Sequence, residues 1–143
     1  MKGRFIVPCR VACLTSTAAG NAIGTIAQYS VPYFPARCVF HVLIGVEADA
    51  AEAGLTIELG LEVRSPDWEL LFCRSLLFQP GAMGERGEPW VCYCTAEVAF
   101  TAKTAGEHEV RCCFGETELV RAGMSVVMQR GVVSHDSGDR PAR

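Results

Sequence analysis

The side chains best equipped for chemistry in this sequence are its eight cysteines and three histidines. Cys92 and Cys94 stand two apart, so on a strand both face the same way, and Cys112 and Cys113 follow a short distance on. If residues 102–106 form a hairpin loop, the next strand brings one of that pair back toward Cys92 and Cys94, with His108 nearby. Thiolate and imidazole are zinc donors, and zinc takes about four of them at roughly 2.0–2.3 Å. Cys92, Cys94, Cys112 and His108 therefore form one candidate site, for metal binding or redox chemistry. A flat strand, however, splays same-face ligands by about 7 Å, unlike the close cysteine knuckles that hold structural zinc. Cysteine is also a small, frequently buried hydrophobe, so the spacing favours core packing. Cys9 and Cys13, four apart, share a strand face and are expected to be buried against an opposing sheet. Cys38 and Cys73 stand alone in apolar runs and read as core.

Other reactive residue types lack the arrangement their chemistry needs. Ser134, His135 and Asp136 are the residue types of a hydrolytic triad, but a triad is assembled from separated positions around a buried orienting group. Three adjacent residues on a polar tail cannot do this. His41, between Phe40 and Val42, reads as a facing or edge residue of a strand. Glu58 and Glu62 fall on the wet side of an alternating run, with Glu47, Asp49 and Glu52 before it, and acid–base work needs two carboxyls in unlike environments within a cleft. Residues 47–52 lack the ligand spacing of a calcium loop. Gly81, Gly84 and Gly87 are not followed by Lys and Ser or Thr, or by a helix, so they make no phosphate cradle.

The stretch that points to binding is Tyr29-Ser30-Val31-Pro32-Tyr33-Phe34-Pro35. Its prolines restrict the backbone, and rigid amphipathic aromatics on such a loop anchor interfaces at low entropic cost. Tyr29, Tyr33 and Phe34 are the candidate contact residues, with Tyr33 expected outside and Phe34 anchored in the core. In the competing reading Phe34 plugs the end of the fold and the tyrosines cover its rim.

The elements that must position these residues read as strands. Leu55, Ile57, Leu59, Leu61 and Val63 alternate with Thr56, Glu58, Gly60 and Glu62, the period of a strand with one buried face. Further β-rich runs cover residues 5–14, 22–29, 38–46, 68–78, 90–102, 107–114 and 118–129. Gly, Pro, Asn and Asp punctuate them, and residues 47–53 are too short for more than a loop or single turn. Short strands at this spacing, without crossover helices, predict an all-β fold, an antiparallel two-sheet β-sandwich of about seven to eight strands. Residues 1–133 form the expected domain, residues 79–89 a surface loop, and residues 134–143 a flexible polar tail.

Composition limits the function classes. In 143 residues, half hydrophobic, one core is enough without metal or disulfide support. A net charge of −3 gives no basic field for nucleic acid. Residues 11–36 carry no charge, yet Gly20, Asn21, Gln28, Pro32 and Pro35 exclude a spanning helix. Pro8 and Arg10 interrupt any apolar export signal, so a cytoplasmic protein with reduced thiols is expected.

The order of features resembles a family of small bacterial β-sandwich proteins whose members are known as a domain of unknown function. The resemblance runs through Phe5-Ile6-Val7-Pro8-Cys9, Gly20, Ile23-Gly24-Thr25-Ile26 and Phe34-Pro35 before the strand from Cys38. It continues at Ser65-Pro66-Asp67-Trp68, at Ala105-Gly106-Glu107-His108, and in a closing hairpin at Phe114-Gly115-Glu116-Thr117-Glu118-Leu119. Trp68 stands where a turn glycine is usual, and His108 where an aromatic is usual. The resemblance implies a fold and no activity. Taken together, the residues favour a non-enzymatic module for a protein partner or self-association, without cofactor, nucleic acid or membrane. The alternatives are the cysteine-cluster protein and a small-ligand sandwich or hydrolase.

Overall fold

A computed structural model describes residues 1–16, 19–80 and 90–131. The proposed tail, with Ser134, His135 and Asp136, and the glycine-rich stretch 81–89 lie outside the described residues. The strands are β1 (Lys2–Ser16), β2 (Ala19–Thr25), β3 (Gln28–Val31), β4 (Ala36–Ala48), β5 (Ile57–Arg64), β6 (Leu70–Phe78), β7 (Trp90–Ala102), β8 (Gly106–Phe114) and β9 (Thr117–Met128). They form two sheets, in the orders β2-β1-β4-β7 and β3-β9-β8-β5-β6. The nine strands among the described residues exceed the expected seven to eight because the run 22–29 divides. Its first part stays beside β1, and its second crosses to the other sheet and pairs with β9 in parallel, the one parallel pairing among the described strands.

Period-two alternation builds the interior. On β5, Ile57, Leu59, Leu61 and Val63 are buried, whereas Leu55 precedes the strand and is exposed. On β4, Cys38, Phe40, Val42, Ile44 and Val46 face inward, opposite Phe100, Val98, Ala96, Cys94 and Cys92 of β7. Met124 and Val126 of β9 and Val110 and Cys112 of β8 close the core from the second sheet. The segment after β4 is a single 3₁₀ turn, Ala50–Glu52, in which Glu52 Oε2 accepts the Asp49 N–H at 2.8 Å.

One flank of the sandwich is irregular, and the candidate site lies there. β1 pairs with β4 from Lys2 to Cys9, then leaves it and pairs with β2 instead. This β1–β2 arm folds over the outer face of the first sheet, where β2 touches β4 and β7 and Gly20 lies against the Leu43 side chain. Leu43 is thereby buried although it faces away from the core. Past His41, no strand among the described residues lies on the β1 side of the N-terminal part of β4.

Candidate functional site

The cysteine cluster is rearranged relative to the sequence expectation. Residues 102–106 do not form a hairpin loop: β7 pairs with β4 in one sheet, and β8 pairs with β5 and β9 in the other. Cys94 and Cys112 therefore approach across the core rather than along a sheet. Burial pushes the Cys94 thiol up to about 12, with neighbouring Cys92 adding to it. Cys112 is likewise pushed up to about 12, by burial first and then by Cys94 and Cys113. Thiols this hard to ionise are poor nucleophiles and poor ligands. His108 is four residues from Cys112 along β8, a distance of about 13 Å at ~3.3 Å per residue. It is buried against the Phe100 ring, with centroids 5.5 Å apart, and its Nδ1 lies 3.1 Å from the Gly106 carbonyl oxygen. Among the described residues, no three His, Cys, Asp or Glu side chains converge closely enough to hold a metal ion.

Two cysteine assignments are corrected by strand position. Cys73, expected in the core, is exposed because β6 is an edge strand and Cys73 faces outward with Glu62. Cys13, expected to be buried with Cys9, is exposed because it lies on the arm beyond the point where β1 leaves β4. Cys38 is fully buried in the core, as expected, and Cys9 is fully buried too, but beneath β2 rather than against the opposing sheet.

The carboxylates serve surface pairing. Glu58 accepts the Ser75 hydroxyl at 2.5 Å, and Glu62 pairs with Arg64 and Arg111 at 3.2 and 3.5 Å. His41 is half-buried, with Nδ1 3.0 Å from the Arg10 carbonyl oxygen and Nε2 3.8 Å from Glu97.

The aromatic segment is divided as its sequence suggested. Tyr33 is 66% exposed, and Phe34 is half-buried and packs against the core. Tyr29 has a more specific role than a rim residue. Its hydroxyl accepts the Val39 N–H at 3.2 Å and lies 3.5 Å from the Val39 carbonyl oxygen, so the side chain bridges from β3 to β4. Around it lies an open cleft of about 370 Å³ lined by Arg10, Ile26, Gln28, Tyr29, Ser30 and Val39. A second depression of about 360 Å³ shares Tyr29 and Ser30 and runs past Tyr33 and Pro35 to Arg37.

Arg10 and Arg37 were not singled out by residue type, although a signal was present: they bracket the charge-free stretch 11–36. The stem of Arg10 lies over Gly24, 3.2 Å from where a Cβ would stand, and the φ of +66° there is one that glycine adopts without strain.

No family model matches the chain, and no curated protein matches its sequence. Among solved structures it is similar to an immunoglobulin-like protein from Pseudomonas aeruginosa, at 14% identity over 85% of this chain and 90% of that one, with a TM-score of 0.44. A likeness at that distance carries no argument about function, and the sandwich architecture stands on the two sheets themselves. No helix among the described residues is long and apolar enough to cross a membrane.

Proposed function

We propose that this protein is a non-enzymatic binding module whose residues 29–35 engage a protein partner, a second copy of the chain included. The observation that carries the reading is Tyr33, 66% exposed on a segment anchored at three other residues. Val31 is buried, Phe34 packs on the core, and Tyr29 is bonded to Val39. A side chain presented from a fixed backbone loses little conformational entropy on binding, and tyrosine offers both apolar area and a hydroxyl. The cleft lining of arginine, glutamine, serine and apolar groups suits hydrogen bonding and packing rather than proton transfer. A half-hydrophobic chain of this length has a core that needs no disulfide support, which supports a reducing compartment such as the cytoplasm for its eight cysteines.

Sedimentation velocity and pull-down with Tyr33→Ala test this reading. The variant should melt within about 0.5 kcal/mol of wild type in stability, as exposed substitutions do, and should lose association. If it unfolds, or associates as wild type does, residues 29–35 are packing and the reading is wrong.

A further inference from the structure

β4 pairs along its whole length with β7, but β1 accompanies it only as far as His41. Among the described residues the Val39 N–H and C=O thus face a side with no strand, and the Tyr29 hydroxyl meets both, at 3.2 and 3.5 Å. One hydroxyl, able to accept and to donate, stands where an antiparallel neighbour would place its own C=O and N–H. Across the cleft, β3 is the edge of the second sheet. At the two ends of the β3–β9 pairing the Ala27 and Val31 carbonyls accept from the Ser125 and Gln129 N–H groups, at 2.9 and 2.7 Å. Backbone direction alternates along a strand, so Gln28 and Ser30 turn their N–H and C=O groups away from β9. Both residues line the cleft. Two strand edges, one from each sheet, therefore face a common opening.

The charge at the opening is one-sided. Arg10 and Arg37 are both exposed, and among the described residues neither takes part in an ion pair and no acidic side chain lines the opening. Arg4, Arg64, Arg111 and Arg121, elsewhere on the surface, each have a glutamate partner, whereas Arg74 and Arg130 are exposed and, like Arg10 and Arg37, have none among the described residues; what sets Arg10 and Arg37 apart is their place on the cleft. An occupant that satisfies both the backbone edges and the two free guanidinium groups is extended and carries acidic side chains.

We infer that the cleft between β3 and β4 receives an extended segment of a protein partner by strand addition, with acidic residues at its ends meeting Arg10 and Arg37. The inference rests on residues 29–35 being a contact surface and adds what the partner presents there. Main-chain hydrogen bonds supply affinity in this mode, and flanking side chains set specificity. The Tyr29 hydroxyl competes with the incoming strand for Val39.

The test uses the full chain, isotope-labelled, and a short peptide of alternating valine and threonine with a glutamate at each end. A second peptide carries lysine in place of both glutamates. The glutamate peptide should bind, shifting the amide resonances of Gln28, Ser30, Arg37 and Val39, and the lysine peptide should not. Replacing Arg10 and Arg37 together by alanine should weaken binding by roughly tenfold, the scale of two exposed ion pairs. Tyr29→Phe, once shown by melting to be folded, should bind the glutamate peptide several-fold more tightly. Equal binding of both peptides, shifts confined to other strands, or weaker binding by Tyr29→Phe would overturn the inference. Shifts in the same amides caused by protein concentration alone would overturn it by making a second copy the occupant. The two readings fail separately: if neither peptide binds while Tyr33→Ala abolishes association, strand addition is excluded and the tyrosine contact surface stands.

Discussion

Replacing Trp68 by glycine and by alanine should reverse the usual order of the two residues. Trp68 has a φ of +68°, in the left-handed region. It closes the Pro66-Asp67-Trp68 loop between β5 and β6, where the Ser65 N–H donates to the Glu69 carbonyl, the Glu69 N–H donates to the Ser65 hydroxyl, and the Trp68 N–H donates to the Ser65 carbonyl, each at 2.9 Å. A loop of this form normally ends in glycine at the left-handed position, because a Cβ there costs roughly 1–2 kcal/mol. Trp68 offsets that cost with its ring, which lies 5.9 Å from Arg64 Cζ and 5.3 Å from Arg111 Cζ. Two partly exposed cation–π contacts are worth about 1–2 kcal/mol together. Alanine loses the ring and keeps the strain. Glycine loses the same ring and relieves the strain, so the ring's contribution cancels between the variants and glycine should be the more stable by about 1 kcal/mol. Urea unfolding monitored by far-UV circular dichroism measures the difference. Should alanine prove equal or superior to glycine, the strain at this position is negligible and the argument fails.

Two further outcomes follow from burial. Phe34→Ala should destabilise the chain by about 2 kcal/mol, less than the ~3–5 of a fully buried phenylalanine, since the ring is only half-buried; thermal melting checks it. Cys94 and Cys112 have folded-state pKa values raised by burial from 9.0 to about 12, so the unfolded chain loses these protons first as pH rises. Their contribution to stability is therefore complete below pH 9 and is lost between 9 and 12, and alkaline unfolding should be blunted in Cys94→Ala relative to its own stability at neutral pH.

Hydrophobic alternation made the strands legible, and with them the buried face of β5, while the proline-bracketed aromatics suggested Tyr33 outside and Phe34 inside. It did not reveal sheet membership, because period two marks which residues share a face and not which strand lies alongside. Cys73 shows the consequence. It sits in an apolar run, but β6 is an edge strand and the residue faces water. The cysteines of β7 and β8 show another, since a short connection can turn a hairpin or cross between sheets, and here it crosses. The cleft was least legible of all. It depends on β1 changing partners after Cys9 and on β3 joining the far sheet in parallel, both of which are long-range pairings. Only the charge-free interval between Arg10 and Arg37 hinted at it, and the same interval is equally consistent with buried packing.

The arm that opens the cleft is itself the best place to disturb it. Beyond Cys9, β1 gives up pairing with β4, and the arm gains the burial of Leu43 and Cys9 in return. The Cys9 thiol lies 3.5 Å from the His41 carbonyl oxygen and against the backbone of Ile23, so β2 is what shields it. Gly20 permits the close approach: a Cβ there would meet Leu43 Cδ1 at 2.8 Å and Leu14 Cδ2 at 3.0 Å. Gly20→Val should wedge the arm outward, costing about 1–3 kcal/mol as overpacking does, while leaving the core between the sheets intact. In the native wild type a thiol reagent should find Cys13 and Cys73, the two exposed cysteines. In Gly20→Val it should also reach Cys9, with Cys94 and Cys112 still protected until the chain unfolds. Reaction of all the thiols together would mean that the arm and the sandwich unfold as one unit. Protection of Cys9 unchanged from wild type would mean that Leu43 and Leu14 yield to the new side chain and the arm stays down.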